Sequence, residues 1–109
     1  MTLDLRIRED AGSVVVECSG ALVAGVTDVL YREVRELVAR DRRIVLDLTH
    51  LEKMDSMGLG TIVRLYASAR SNRCELELIN LSRRVRELFG VTGLLSIFET
   101  CGEHRVRIP

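Results

Sequence analysis

Ile44-Val45-Leu46-Asp47-Leu48-Thr49, followed after a short loop by Met54-Asp55-Ser56-Met57-Gly58-Leu59-Gly60, carries the architecture of this chain. The first run is apolar on both faces, which predicts a central strand covered by helices or flanked by parallel neighbours. Asp47 interrupts it. A carboxylate near the end of such a strand must find hydrogen-bond donors or water, because burying it unpaired costs several kcal/mol, of the order of a domain's net stability. Asp47 is therefore expected to orient the loop that follows. In the second run Leu59, Ile62, Val63 and Tyr66 recur at i, i+3, i+4 and i+7. That spacing predicts an amphipathic helix from about Met57 to Arg70, stopped by Ser71-Asn72.

Working outward, Leu3, Leu5 and Ile7 alternate with charged residues, and Gly12-Ser13 gives a turn before Val14-Val15-Val16-Glu17-Cys18, so a hairpin is expected at the start. Leu30, Val34, Leu37 and Val38 then switch to helical spacing, with Thr27 or Asp28 as the cap and Arg40-Asp41-Arg42-Arg43 as a charged connection. Downstream, Cys74, Leu76 and Leu78 alternate with Glu75 and Glu77, predicting a strand with one face toward solvent. Ser82 caps a short helix with Val85, Leu88 and Phe89 on its apolar face and Gly90 just past its end. Leu94, Leu95, Ile97 and Phe98 suggest a last buried element. The order β-β-α-β-α-β-α plus a tail is that of an α/β domain.

At 109 residues and 47% hydrophobic, the chain suits one core rather than two. Sixteen basic and sixteen acidic side chains cancel, so no global field draws in nucleic acid or an anionic membrane. No Trp and only two Phe and two Tyr leave few platforms for base stacking. Cys18, Cys74 and Cys101 are odd in number and lack ligand or C-x-x-C spacing, which points to reduced thiols in a reducing compartment. The alternating N-terminus is unlike a signal peptide, and no apolar run approaches the roughly 20 residues of a membrane span. A cytoplasmic protein without membrane insertion is expected.

Ser56 falls at or beside the cap of its helix. Backbone N–H groups there lack intrahelical partners and the dipole is positive, so its own helix should tolerate a phosphate on Ser56. Gly58 and Gly60 have no side chains to crowd that approach. Local chemistry alone favours a simple helix cap at Ser56, since Ser is a common N-cap.

The run from Ile44 to Thr49, the Met54-Asp55-Ser56-Met57-Gly58-Leu59-Gly60 turn, the Leu76–Leu78 strand and the Val85–Gly93 segment ending in Thr92-Gly93-Leu94 together resemble STAS domains, the family of bacterial anti-sigma-factor antagonists. The resemblance implies a single STAS-like domain over residues 1–109, with a mixed four- to five-stranded sheet, helices mainly on one face, and residues 102–109 as a tail of uncertain structure. It implies that Ser56 is phosphorylated by a GHKL-type serine kinase doubling as an anti-sigma factor, and that a PP2C-type phosphatase reverses this. Asp55, Met57 and Gly58, with His50 and Met54, would form the partner surface; Asp47 and Gly60 would support it structurally. Val23 stands where many antagonists carry an acidic residue, and Met57 is larger than the usual neighbour of the serine. A stressosome-like module or a transporter-associated subunit would use the same turn with other partners.

Catalysis is not expected. His50, Asp55 and Ser56 are close in sequence, but a triad is assembled from separated elements, and G-x-S-x-G is absent. Gly58-x-Gly60 lacks the third glycine of a dinucleotide fingerprint, since Val63 stands there. Isolated His50 and His104 and the unspaced cysteines suggest no metal, and no cofactor is expected. Oligomeric state is not legible at this level.

Overall fold

The computed structural model describes residues 2–91, 99–101 and 105–107, with side chains as far as Leu88. Strand β1 (Leu3–Asp10) and strand β2 (Ser13–Leu22) form the antiparallel hairpin, closed between Asp10 and Ser13. Ala11 and Gly12 make its turn at φ +49° and +85°, the left-handed pair that matches strand twist in a two-residue turn. Helix α1 (Thr27–Arg40) returns the chain to strand β3 (Arg43–Met54), which lies parallel to β2. Helix α2 (Ser56–Ser71) leads to strand β4 (Glu75–Ile79), parallel to β3. Helix α3 (Arg83–Val91) precedes strands β5 (Glu99–Cys101) and β6 (Arg105–Arg107). The sheet order is β1-β2-β3-β4-β6-β5.

The mixed sheet of an α/β domain is thus present. Its four long strands meet the expected count; β5 and β6, of three residues each, extend it to six beyond β4, and β6 lies within the expected tail. The buried element expected at Leu94, Leu95, Ile97 and Phe98, the Thr92-Gly93-Leu94 motif and His104 lie outside the described residues.

One sheet face carries the core. Val14, Ile44 and Leu76 share a register row, as do Val16, Leu46 and Leu78, and both rows join Leu30, Val34, Leu37 and Val38 of α1, Leu59, Ile62, Leu65 and Ala69 of α2, and Val85 of α3 in a single cluster. Helices therefore pack on that face. The other face carries Val15, Val45 and Glu77 in one row.

Four local expectations change. Helix α1 has no side-chain cap from Thr27 or Asp28: both lie inside it, the preceding residue is Val26, and the Val29 N–H finds the Val26 carbonyl at 3.2 Å. Helix α2 buries Leu65, Ala69 and Thr61 with Leu59 and Ile62, leaving Val63 and Tyr66 half-buried. Helix α3 passes through Gly90 rather than ending before it, since one glycine costs a helix interior only about 1 kcal/mol; Ser82 does cap it, its Oγ accepting the Val85 N–H at 3.2 Å. Glu77, expected in solvent, is fully buried with the Arg43 guanidinium 2.8 Å from its carboxylate. The alternation of Glu75 and Glu77 misleads because the face opposite the helices is itself partly covered, by Arg43 from the neighbouring strand.

Candidate functional site

Strand β3 runs to Met54 and does not stop at Leu48. Its pairing with β2 slips twice, between Glu17 and Ser19 and again between Gly20 and Ala21, each time with an extra residue on β3. Such bulges bend a strand and shift its facing. Leu48 and Leu51, three apart, consequently both reach the core.

Asp47 stabilises the first bulge. Its Oδ1 accepts the Thr49 N–H at 3.0 Å and the Thr49 hydroxyl at 2.5 Å. Asn80, held at φ +58° just past β4, donates its Nδ2 to Asp47 Oδ1 at 3.2 Å and to Thr49 Oγ1 at 2.9 Å. Partial burial works to raise the Asp47 carboxyl, but the hydrogen bonds from Thr49 and Asn80 and the nearby His50 outweigh it and hold it below the ordinary 3.8. Where a loop was expected after Asp47, the chain continues as strand, and Asp47 bonds the bulge within it. Asn80 was not singled out by sequence; an Asn directly after a strand, a residue that tolerates left-handed backbone, is the signal that could have found it. His50, expected with Met54 on the partner surface, is exposed on β3 opposite Ser19.

The second cluster surrounds the start of α2. Asp55, at φ −111° and ψ −174°, is the N-cap, and its Oδ1 accepts the Gly58 N–H at 2.9 Å. Its Oδ2 accepts the Ala24 N–H, also at 2.9 Å, from the β2–α1 loop. The Asp55 N–H in turn reaches the Leu22 carbonyl at 3.4 Å. The bonds from Ala24 and Gly58 hold the Asp55 carboxyl below its ordinary range. Ser56 is the first helical residue and is exposed; Met57 beside it is 58% exposed. Met54 is half-buried and packs against the core edge.

The two glycines of the turn differ in their surroundings. Gly58, expected on the partner surface, is buried: a Cβ there would overlap the Leu22 carbonyl oxygen, so the close approach of α2 to the end of β2 requires glycine. Gly60, expected as a structural support, is exposed, and a Cβ there would meet nothing. It lies one helical turn beyond Ser56 on the same face, with Arg64 a turn further. The Arg64 guanidinium sits 4.1 Å from the Tyr31 ring centroid, joining that face to α1.

Among the described residues no group of His, Cys, Asp and Glu could hold a metal ion, and no helix is long and apolar enough to cross a membrane. Ser56 has no His beside it in the turn; the neighbouring carboxylate, Asp55, is committed to two backbone N–H groups.

The family model for the STAS domain matches residues 2–105 of this chain. The chain belongs to the STAS domain family. Among the relatives of this STAS protein, the anti-sigma-B factor antagonist of Listeria monocytogenes serovar 1/2a is 36% identical over 102 residues, covering 91% of this chain and 89% of the relative. In structure, an anti-sigma factor antagonist from Mycobacterium paratuberculosis superposes with a TM-score of 0.78 at 21% identity over 87% of this chain and 81% of that one. The murine Solute Carrier 26 family member A9 anion transporter contains the same fold, with a TM-score of 0.70 at 18% identity, over 82% of this STAS chain and 15% of the transporter. These two likenesses speak to fold alone.

Proposed function

We propose that this STAS protein is an anti-sigma-factor antagonist of the cytoplasm, acting as one domain over residues 1–109, which binds an anti-sigma factor while Ser56 carries a free hydroxyl. The observation that carries the reading is the exposure of Ser56 at the first position of α2, beside Met57, in a chain 36% identical to an anti-sigma-B factor antagonist. The partner surface comprises Ser56, Met57 and the flat ground left by Gly60, with Met54 and the Val23–Gly25 loop at its border and His50 at its far margin. Gly58 and Asp55 act from below, by fixing the height and direction of α2.

A GHKL-type serine kinase, itself the anti-sigma factor, transfers the γ-phosphoryl group of ATP to Ser56 Oγ, leaving ADP; a PP2C-type phosphatase hydrolyses the ester and restores the hydroxyl. The geometry favours a sharp response. Asp55 already occupies the Gly58 N–H, so a Ser56 phosphate does not inherit the donor a cap would use. About two negative charges stay directed outward, and a partner that buries Ser56 must desolvate them. Each 1.4 kcal/mol of that cost weakens binding about tenfold.

The test is intact-mass analysis of wild type and Ser56→Ala after incubation with the kinase and ATP, together with titration of the anti-sigma factor against wild type and Ser56→Asp. One added phosphate on wild type alone, and weakened binding by Ser56→Asp with unchanged circular dichroism, are expected. Phosphate retained on the Ala variant removes the site, and equal affinity of both forms removes the switch and leaves a constitutive binding module.

A further inference from the structure

We infer that two copies of this chain associate through the free edge of β1, in antiparallel register centred on Leu5. Strand β1 is terminal in the sheet, so its outward N–H and C=O groups have no strand partner among the described residues. An open edge of eight residues is a template for another strand. Its sequence chooses the partner. Leu3, Leu5 and Ile7 lie in register with Gly20, Cys18 and Val16 on the helix-bearing face, while Asp4, Arg6 and Arg8 lie on the other. Ile7 is 42% exposed and borders a notch lined by Val14, Leu37 and Arg40.

A two-fold axis normal to the sheet sets residues of one copy against residues of the other on the same face, so the register must be centred on a residue. Centred on Leu5, Leu5 meets its own copy, Leu3 meets Ile7 twice, and Asp4 meets Arg6 twice. Every opposed pair from residue 3 to residue 7 is then apolar with apolar or acid with base. Each register centred elsewhere between Asp4 and Glu9 opposes like charges: Asp4, Arg6, Arg8 or Glu9 against itself, or Arg6 against Arg8 when centred on Ile7. Cross-strand pairs of opposite charge favour pairing and like charges oppose it, so the strand is complementary to itself in one register.

The partner's Leu3 meets the exposed Ile7, the last aliphatic residue of the row before Glu9. Helices of both copies stay on the same side of a continuous sheet. Because β1 runs antiparallel to its mate, the two Ser56 surfaces sit at opposite ends of the assembly and both remain accessible. The association is small, so its dissociation constant belongs in the micromolar range rather than below.

Sedimentation velocity on the full chain from about 10 to about 500 μM tests this. Wild type is expected to move from monomer to dimer across that range. Arg6→Asp, which sets Asp4 against an acid twice, and Ile7→Lys, which breaks both Leu3 contacts, should each weaken the dimer at least about tenfold. The double variant Asp4→Arg/Arg6→Asp restores both opposed pairs and should dimerise again. Arg6 also faces Glu17 within the chain, so melting curves of each variant accompany the measurement; Ile7→Lys carries the test if Arg6→Asp is unfolded. A wild type monomeric throughout, a dimer untouched by Ile7→Lys, or a folded double variant that stays monomeric overturns the inference.

Discussion

The Asp55 carboxylate bonds the Ala24 N–H at 2.9 Å with one oxygen while the other caps α2 at Gly58. One side chain thus ties the loop after β2 to the start of α2, two segments 31 residues apart in sequence. The placement of Ser56 relative to the loop after β2 is fixed by this bridge rather than by α2 alone.

Replacing Asp55 by Ala removes both bonds at once. Loss of an N-cap typically costs about 1 kcal/mol, and loss of the Ala24 bond adds to it, so urea unfolding should show a drop of roughly 1–2 kcal/mol. Binding should fall further than Ser56→Ala lowers it, because the loop border moves. A stability equal to wild type would contradict the bridge.

Acid sensitivity follows from the same carboxylate. Asp55 and Asp47 are both held below the ordinary 3.8, so the folded state binds fewer protons than the unfolded chain near that pH. Their contribution is complete well above the ordinary value and is lost as pH falls through it toward the folded-state values. The stability difference between wild type and Asp55→Asn should therefore shrink between about pH 6 and about pH 3 in denaturant titrations. A constant difference would show that Asp55 titrates alike in both states.

Alanine distinguishes the two glycines of the turn. Gly58→Ala drives a Cβ into the Leu22 carbonyl, backbone that cannot rotate away, and overpacking of this kind costs roughly 1–3 kcal/mol. Gly60→Ala meets open space inside a helix and should stabilise by about 0.5–1 kcal/mol while weakening partner binding. Opposite shifts in melting temperature are the expected result; shifts of the same sign would contradict the geometry.

Burial protects the described thiols. Burial, with the Asp47 charge second, pushes the Cys18 thiol up to about 12, and burial pushes Cys74 up to about 11. Both should resist iodoacetamide in the native protein at neutral pH and react in denaturant, as peptide mapping will show. Rapid native labelling of Cys18 would mean that β2 opens locally.

Arg43 supports a fully buried carboxylate. Arg43→Ala removes the 2.8 Å contact to Glu77, and a charge-assisted bond of this type contributes about 1.5–3 kcal/mol. Urea unfolding should register a loss at or above the upper end, because Glu77 stays fully buried without this partner. No loss would assign the burial of Glu77 to other contacts.

By itself the sequence determined the order of strands and helices from β1 to α3, the face of α1 that is buried, the cap of α3 and the position of Ser56 at the start of α2. Each follows from periodicity or from a capping residue within a few positions, and such local interactions act wherever the chain goes. The tertiary structure decided what depends on residues distant in sequence. The bulges that carry β3 through Thr49 to Met54 break the alternation by which strands are recognised, and only the pairing with β2 and the bonds to Asp47 and Asn80 reveal them. Glu77 reads as a solvent residue until Arg43 covers it from the next strand. Gly58 and Gly60 are indistinguishable in the sequence, because the difference between them is the Leu22 carbonyl, which only the packing of α2 on the end of β2 brings into contact.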